Sequence, residues 1–390
     1  MYLERRTLHS TAIPDRMRAT LLVGHGGLDK LVYREDVATP SPAPGEVLVR
    51  VGACGVNNTD INTRTAWYDR DAASELSEDL GLRGRAVPPE QGQSAAASWN
   101  TSSINFPRIS GAAIVGVIAA AGDGVNAGLI GSRVIVDPQV RDAALPLRAQ
   151  LVAYLGSERD GGFAEYVAVP EENAHAVNSE LSDAELATFP CSYDTAEEML
   201  ERVRLLAGET VVITGAAGGV GTALIQLALI RGARVVAIAG AAKEERVRKL
   251  GAHEFVPRDR GDALAQVEAL CGSRAVDVVA DVVGGPIFAS LLKMLKRGGR
   301  YSTAGAIAGP VEPMDLRDLI YKDLEMYGIT CPTTETFSRL VALINENRLK
   351  PVLEQVYPLE RLADAQAAMV KRQHVGKFVI APDPPRRGPR

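Results

Sequence analysis

Cysteine and histidine are scarce in this sequence. Its 390 residues include only four cysteines and five histidines. The cysteines lie far apart and form no Cys-x-x-Cys pair, at Cys54, Cys191, Cys271 and Cys331. This spacing favours neither a zinc ribbon nor a disulfide framework. It fits a reducing compartment, so we expect a cytoplasmic protein.

A strong charge of one sign and a membrane segment are also missing. The 43 Lys and Arg residues nearly balance 48 Asp and Glu residues, for a net charge of −5. This balance gives no electrostatic reason to expect a nucleic acid or an anionic membrane as partner. Residues 1–16 lack the apolar run of a signal peptide. The apolar stretch 211–230 has four glycines within seven residues, which favours a turn over a spanning helix. We therefore expect a small-molecule substrate as the partner.

The part of the chain before residue 182 has a β-rich pattern. A length of 390 residues exceeds what one hydrophobic core usually serves, so two domains are expected. From residue 17 to about 169, short β-branched runs separated by Gly, Pro and Asp predict a barrel-like domain. Residues 69–105 interrupt this pattern between Trp67 and Trp99, and we interpret them as an insertion or long loop. Residues 1–16 and the tail from about residue 383 are predicted to be disordered.

After residue 182, predicted strands and helices alternate. Such alternation predicts a parallel, doubly wound sheet. Glycines are expected to cap three of its helices, at Gly232, Gly251 and Gly298. We therefore divide the chain into a substrate domain (1–184), a cofactor domain (185–330) and a segment (331–390) that returns to the substrate domain.

A glycine-rich turn follows the first strand of the second domain. It spans residues 215–221 and opens an apolar helix. Glycine permits the positive φ of a tight turn, the close approach of a pyrophosphate and close packing of the helix on the sheet. The N-terminus of the helix offers unpaired N–H groups to the phosphates. This context favours a dinucleotide site over a turn without ligand. Its predicted cofactor-binding residues are Gly215, Ala217, Gly218, Gly219, Val220 and Gly221.

The end of the next strand indicates which dinucleotide binds. An NAD-specific site carries Asp or Glu about 20 residues after the turn, to hold the ribose 2′-hydroxyl. Here the strand ends at Gly240 with no acid, and Lys243 and Arg246 follow. These cations are placed to meet a 2′-phosphate, although both could also form the solvated first turn of a helix. We predict NADPH as the cofactor.

Five segments of the chain resemble the medium-chain dehydrogenase/reductase superfamily. They are GVNNTD (55–60), FPRISG (106–111), GGFAEY (161–166), the glycine turn (215–221) and HVGK (374–377). The likeness covers residues 17 to 382 and is closest to the zinc-free branch of quinone oxidoreductases and enoyl reductases. It implies an α/β fold, with a Rossmann doubly wound parallel sheet plus a β-rich GroES-like barrel domain. It also implies a homodimer that pairs through the strand at residues 324–329.

The zinc ligands of the superfamily's alcohol dehydrogenases are replaced in this chain. Asn57 stands where those enzymes have a cysteine, and Gly111-Ala112-Ala113 stands in place of their Gly-His-Glu. An amide and two methyl groups cannot replace thiolate or imidazole ligands, so no metal is expected. Without a Lewis acid, alcohol oxidation is disfavoured. The resemblance then implies hydride transfer from NADPH to an activated carbon–carbon double bond, a quinone or a related carbonyl compound.

Four side chains are candidates for the reaction site. The resemblance places Asn57 at the pocket as a hydrogen-bond donor to a developing oxyanion, although it could instead support a turn. Thr195 occupies the position that lies against the nicotinamide, and it could also cap the following helix. Tyr193 is its neighbour. Asp194 is either an acid or base or a carboxylate favoured by the helix dipole.

Further cofactor contacts are implied at the ends of later strands. Gly240, Val283, Gly305 and Ile307 lie in loops after strands, where ligands bind in open α/β sheets. Lys377 resembles the superfamily's basic residue that approaches the cofactor phosphates, but a solvated lysine on an edge strand would have the same sequence signature.

Three functions remain open on the sequence. The first is a reductase of enones, quinones or enoyl thioesters. The second is a tailoring oxidoreductase for a larger natural product, suggested by the 69–105 segment and Asp194. The third is an NADPH-binding sensor or structural protein without turnover.

Overall fold

A computed structural model describes residues 13–69, 74–85, 104–273 and 275–383. The predictions for residues 1–12, for most of the 69–105 segment including Trp99, and for the tail after residue 383 lie outside these ranges. Within the described segments, no helix is long and apolar enough to cross a bilayer.

The first part of the chain forms the β-rich domain. Its strands are β1 (Arg16–Leu22), β2 (Leu31–Ala38), β3 (Glu46–Gly55), β4 (Arg108–Ile109), β5 (Ala113–Ala121), β6 (Arg133–Val136), β7 (Gln139–Arg141), β8 (Leu151–Tyr154), β9 (Tyr166–Pro170) and β10 (Ala174–Ala176). Its helices are α1 (Asn58–Thr65), α2 (Glu78–Arg83) and α3 (Asp183–Leu186), whereas α4 (Tyr193–Arg202) packs into the core of the second domain. Strand β3 pairs with β5 and β9, and its apolar side chains at Val47, Leu48, Val49, Val51 and Cys54 pack into the barrel core.

The second part of the chain forms a six-stranded parallel sheet. Its strands are β11 (Thr210–Ile213), β12 (Arg234–Ala239), β13 (Glu254–Pro257), β14 (Val276–Asp281), β15 (Leu295–Thr303) and β16 (Glu325–Gly328). Its helices are α5 (Gly219–Ile230), α6 (Glu244–Arg248), α7 (Ala263–Cys271), α8 (Phe288–Met294), α9 (Leu316–Tyr321) and α10 (Thr334–Asn345). The strand order β13-β12-β11-β14-β15-β16 is that of a dinucleotide-binding Rossmann sheet, which confirms the predicted fold class.

The central strands of this sheet are apolar because helices cover both faces. Val211 and Val212 of β11 are fully buried and pair with β12 on one side and β14 on the other. Gly232 and Gly251 have positive φ just after α5 and α6. The predicted cap at Gly298 is wrong, since α8 ends at Met294 and Gly298 lies inside β15.

The last part of the chain lies against both sheets. It contains β17 (Leu353–Pro358), α11 (Leu362–Val370) and β18 (Lys377–Ala381). Strand β18 pairs with β3 of the first domain. Just before it, the Gly376 N–H donates to the carbonyl of Ala217 in the glycine turn, at 2.8 Å. The cleft between the domains is therefore bordered by this segment.

Candidate active site

A cavity lies at the carboxyl ends of β11 and β14, where the strand order of the sheet reverses. Its volume is about 830 Å³ when the part open to solvent is included. Such a switch point is where open α/β sheets bind ligands. Eight of the predicted cofactor residues line it: Gly215, Ala217, Gly218, Gly219, Gly240, Lys243, Val283 and Ile307. We call it the cofactor cavity.

A second cavity of about 850 Å³ adjoins the first. Both are lined by Asn58, Gly219, Ile307, Met369 and His374, so they form one continuous cleft. Five other predicted residues line the second cavity: Asn57, Thr195, Val220, Gly305 and Lys377. We call it the acceptor cavity.

The glycine turn leaves room for a ligand beside its backbone. Gly215 has φ +56°, and a Cβ at Gly218 would meet nothing closer than the Gly215 carbonyl oxygen, at 3.5 Å. Gly221 lines neither cavity; its Cβ would lie 2.2 Å from the carbonyl oxygen of Gly215, so glycine is required there for helix–strand packing. A cradle of bare backbone at the start of α5 fits the pyrophosphate of a dinucleotide.

Three cations gather at the far end of the cofactor cavity. Lys243, Arg258 and Arg372 all line it, and Lys243 Nζ donates to the Arg372 carbonyl at 2.7 Å. Burial, followed by the charge of Arg258, lowers the pKa of Lys243 and of Arg372. Neighbouring cations repel one another, and a bound anion would offset this repulsion, so the cluster suits an anionic ligand.

Arg246 does not share this position. Its guanidinium donates to Glu354 at 2.6 Å and to the carbonyl of Val375 at 3.3 Å, and it does not line the cofactor cavity. The ion pair with Glu354 turns the side chain away from the ligand space.

Lys377 is buried, unlike the solvated edge-strand lysine that the sequence also allowed. It is 3% exposed, and its ammonium donates to the carbonyl of Pro190 at 2.8 Å. Burial lowers its pKa. Its side chain lines the acceptor cavity and not the cofactor cavity.

Asn57 and Thr195 face the acceptor cavity while also supporting the backbone. Asn57 Nδ2 donates to the Gly55 carbonyl at 3.0 Å, and Thr195 Oγ1 donates to the Cys191 carbonyl at 2.6 Å. For Asn57 both alternatives are present, since it supports the start of α1 and borders the cavity. The predicted N-cap role of Thr195 is wrong, because Thr195 lies inside α4 and bonds the carbonyl four residues earlier.

Tyr193 and Asp194 line neither cavity. Tyr193 is 1% exposed, and its hydroxyl donates to the Lys350 carbonyl at 3.2 Å. Asp194 is fully buried and accepts a long hydrogen bond from Gln139, at 3.4 Å, and burial raises its pKa. The structure thus does not bring these two predicted residues to the cleft.

Two aromatic residues and an amide complete the acceptor cavity. Trp67, Tyr68 and Asn62 line it, and burial raises the pKa of the Tyr68 phenol while the neighbouring Asn62 side chain partly offsets this. Trp67 was a candidate from the sequence, whereas Tyr68 and Asn62 were not predicted. Their place at the cavity depends on burial, which a single sequence does not show.

His374 stands between the two cavities. It lines both, and its Nδ1 has no hydrogen-bond partner. Burial and the nearby charge of Lys243 lower its pKa to about 4. The imidazole is therefore neutral at physiological pH, a polar group without charge at the junction.

Asp281 fixes the strand ends that form the floor of the cofactor cavity. It is fully buried at the end of β14. It accepts hydrogen bonds from the Tyr301 hydroxyl at 2.6 Å, from the N–H groups of Val283 and Gly284 at 2.9 and 3.2 Å, and from the Thr214 hydroxyl. These partners come from three strands, so sequence spacing could not reveal the network.

The positions of the missing zinc ligands differ in their place. Asn57 borders the acceptor cavity, while Ala112 and Ala113 are buried and do not line it. Cys54 is fully buried. Over the described ranges, no group of three or more His, Cys, Asp or Glu side chains is arranged to hold a metal ion.

Comparisons with known proteins agree with the two-domain architecture. The alcohol dehydrogenase GroES-like domain model matches residues 43–179, and the zinc-binding dehydrogenase model matches residues 219–346. The quinone oxidoreductase of Rattus norvegicus is 26% identical over 373 residues, covering 93% of this chain and 97% of that protein.

Solved structures show the same relationship. A protein of Sinorhizobium meliloti 1021 described as an alcohol dehydrogenase is 47% identical, with a TM-score of 0.85, over 97% of this chain and 99% of its own. The 2-octenoyl-CoA carboxylase reductase CinF, in complex with NADP and 2-octenoyl-CoA, is 25% identical with a TM-score of 0.78, over 97% of this chain and 90% of its own.

The fold and the site define an oxidoreductase that binds a nicotinamide cofactor. The chain belongs to the medium-chain dehydrogenase/reductase superfamily, with a GroES-like barrel and a Rossmann sheet. The resemblance and the fold predicted from the sequence are thereby confirmed.

Proposed function

We propose that this protein is an NADPH-dependent, zinc-independent reductase of activated carbon–carbon double bonds or quinones. One observation carries the proposal. The cofactor cavity opens into an acceptor cavity that is lined by hydrogen-bond donors, Lys377 among them, and by aromatic side chains, and by no described Asp or Glu.

The preference for NADPH rests on the three cations. Lys243, Arg258 and Arg372 line the end of the cofactor cavity that follows β12, where an NAD-specific site would hold a carboxylate. A 2′-phosphate at this place would accept charge-assisted hydrogen bonds from them. The NADP named in the CinF complex supports the same choice.

The residues of the acceptor cavity suit reduction of a conjugated carbonyl. When bound, NADPH supplies a hydride, which an enone receives at its β-carbon and a quinone at its ring system. Negative charge then develops on a carbonyl oxygen, and hydrogen-bond donors stabilise it. The Tyr68 phenol lies in the cavity and retains its proton at neutral pH because burial raises its pKa. We assign it the proton that completes the reduction.

Zinc independence rests on the residues at the zinc positions. Asn57 and the pair Ala112-Ala113 offer no thiolate, imidazole or carboxylate there, and those are the ligands that zinc requires. The 26% identity to a quinone oxidoreductase over nearly the whole chain supports the non-alcohol chemistry.

The function is tested by following NADPH oxidation by the purified, chelator-treated protein with cyclohex-2-enone and with 1,4-benzoquinone. We expect turnover that is insensitive to chelators. Tyr68→Phe should lower kcat for the enone by roughly 10²–10⁴-fold, the range typical of a general acid, and should leave the Kd of NADPH within about twofold.

Tyr193→Phe is the matched control, because this phenol lies outside both cavities. It should keep full activity if it folds. NADPH binding without oxidation by any acceptor would contradict a reductase and favour a sensor. Loss of activity on zinc removal would contradict zinc independence.

We also propose that two copies pair through β16. This strand is at the edge of the sheet, and the preceding α9 exposes Leu316, Ile320 and Tyr321 at 58%, 60% and 69%. An open strand edge beside exposed apolar side chains favours pairing across a two-fold axis.

Sedimentation velocity tests this pairing. The wild type should sediment as a dimer, and Leu316→Glu with Ile320→Glu should shift it to a monomer. Ile130→Glu introduces the same charge at an exposed apolar site of the barrel domain, and it should remain dimeric. A monomeric wild type would rule the pairing out.

A further inference from the structure

Lys377 is a buried cation that the proposed reaction does not use. It is 3% exposed, and it is the one charged side chain among the described residues that line the acceptor cavity, since His374 is neutral. Of its three N–H donors, one has a partner among the described residues, the Pro190 carbonyl, and no described Asp or Glu forms an ion pair with it. Burying a charge without a counter-ion costs free energy, so stability alone does not explain this ammonium.

The ammonium lies between two segments of the cavity wall. Its carbonyl partner, Pro190, directly precedes Cys191, which lines the acceptor cavity. On the other side, Cε of Lys377 lies 3.2 Å from the position that a Cβ on Gly55 would occupy, and Gly55 directly precedes the lining residues 56–59. The charge is therefore behind the wall, where it acts on a ligand through its electric field and not by contact.

The acidity of this ammonium depends on the charges around it. Burial lowers the pKa of Lys377, whereas the neighbouring groups Cys191, Asp194, Cys54 and Asp60 raise it. Burial raises the pKa of each of these four groups in turn, so they favour the ammonium less than exposed carboxylates would. A negative charge that forms in the cavity would stabilise the ammonium, and the ammonium would stabilise that charge equally.

We infer that the positive charge of Lys377 stabilises the negative oxygen that forms on the acceptor when hydride is added. This inference rests on the proposed function and adds a residue to its reaction. The enone gains a hydride at its β-carbon and becomes an enolate, whose α-carbon then takes the proton of the Tyr68 phenol, which water restores. The cofactor leaves oxidised. Lys377 keeps its protons throughout and contributes only its charge, the kind of stabilisation that a metal ion gives in enzymes that hold one.

Bound 4-nitrophenol tests this charge without turnover. Its phenolate is a planar anion with the negative oxygen on a ring, as in an enolate or a hydroquinone anion, and its absorbance shows which form is bound. The probe is titrated with pH on protein saturated with NADP⁺, which has no hydride to give. In Lys377→Met the phenolate-to-phenol affinity ratio should fall about tenfold or more relative to the wild type, which is measured as a rise in the pKa of the bound probe.

Two controls separate lost charge from lost packing. Nitrobenzene has the same ring and no ionisable group, so the wild type and Lys377→Met should bind it within about threefold of each other. Lys249→Met removes an exposed charge that lines neither cavity and is paired with Glu245. This variant should keep the phenolate preference of the wild type.

Steady-state kinetics give an independent measurement. Lys377→Met should lower kcat for cyclohex-2-enone by roughly 10²–10³-fold, the range for loss of one preorganised group that stabilises an oxyanion. The KM of the enone should change by less than about threefold, because the neutral ground state carries no negative charge for Lys377 to stabilise.

Three results would overturn the inference. They are an unchanged phenolate-to-phenol ratio, an unchanged kcat, or a loss of NADP⁺ and nitrobenzene binding by the same factor as phenolate binding, since Lys377 would then hold the cofactor or the fold. If Lys377→Met does not fold, the wild type without cofactor decides, and a bound probe whose pKa is not lower than that of the free probe overturns the inference. Failure of the proposed function looks different, because NADPH would not be oxidised by any acceptor although the phenolate preference remained.

Discussion

Replacing Lys243, Arg258 and Arg372 together by alanine should weaken NADPH binding by roughly 100-fold, about 2.7 kcal/mol, and leave NADH binding within about threefold. Each cation borders the end of the cofactor cavity, and a charge-assisted hydrogen bond contributes about 1.5–3 kcal/mol before solvent screening. NADH lacks the 2′-phosphate and therefore loses nothing comparable. Fluorescence titration with both cofactors measures the ratio.

Single variants separate the contributions of the cations. Arg258→Ala is the cleanest, because no side-chain hydrogen bond or ion pair of Arg258 occurs within the described residues. Lys243→Ala should weaken the free energy of NADPH binding by about 1–2 kcal/mol. Arg372 also donates to the Leu76 carbonyl, so its loss should affect the wall of the cleft as well.

Arg246→Ala is the matched control. Arg246 lies one turn from Lys243 in the sequence, but its charge is paired with Glu354 outside the cofactor cavity. This variant should keep the NADPH preference of the wild type. If the triple variant lost both cofactors equally, or neither, the cations would not bind the 2′-phosphate.

The cation cluster shows how far the sequence could predict this site. Lys243 was found because it follows the glycine turn and β12 at the spacing that Rossmann domains use. Arg258 follows the next strand, β13, and Arg372 comes more than a hundred residues later, after α11. Only the folded chain brings them to one cavity, so no local pattern marked them.

The α4 candidates illustrate a different limit. Successive residues on a helix point about 100° apart, so Tyr193, Asp194 and Thr195 cannot all face one cavity. Thr195 lines the acceptor cavity, and the other two are buried within the protein. A helical projection would have separated them, although it could not have shown which one faces the ligand.

In α1, by contrast, the helical spacing brings several polar side chains to one face. Its residues Asn58, Thr59 and Asn62 lie on one side and all reach the cleft. Asn57, at the start of this helix, was predicted through the family resemblance. Asn62 was missed because its importance comes from burial beside Tyr68, and a single sequence does not show burial.

Asp281→Ala should lower the free energy of unfolding by about 3–5 kcal/mol, the largest stability effect we expect for a single substitution. The carboxylate is fully buried and accepts from Thr214, Tyr301, Val283 and Gly284. Its removal would leave two buried hydroxyls, of Thr214 and Tyr301, and two partly buried N–H groups without their acceptor. Urea unfolding followed by circular dichroism, with and without saturating NADPH, measures the loss.

Two further variants distinguish the network from simple loss of packing. Tyr301→Phe removes only one donor and should lower the free energy of unfolding by about 1–2 kcal/mol. Asp281→Asn keeps the shape but turns an N–H₂ group toward donors, so it should be nearly as destabilising as alanine. Because Val283, whose N–H bonds Asp281, lines the cofactor cavity, Asp281→Asn should also weaken NADPH binding at temperatures where the protein remains folded. An asparagine variant as stable as the wild type would mean that shape alone, and not the accepted hydrogen bonds, holds the ends of β11, β14 and β15 together.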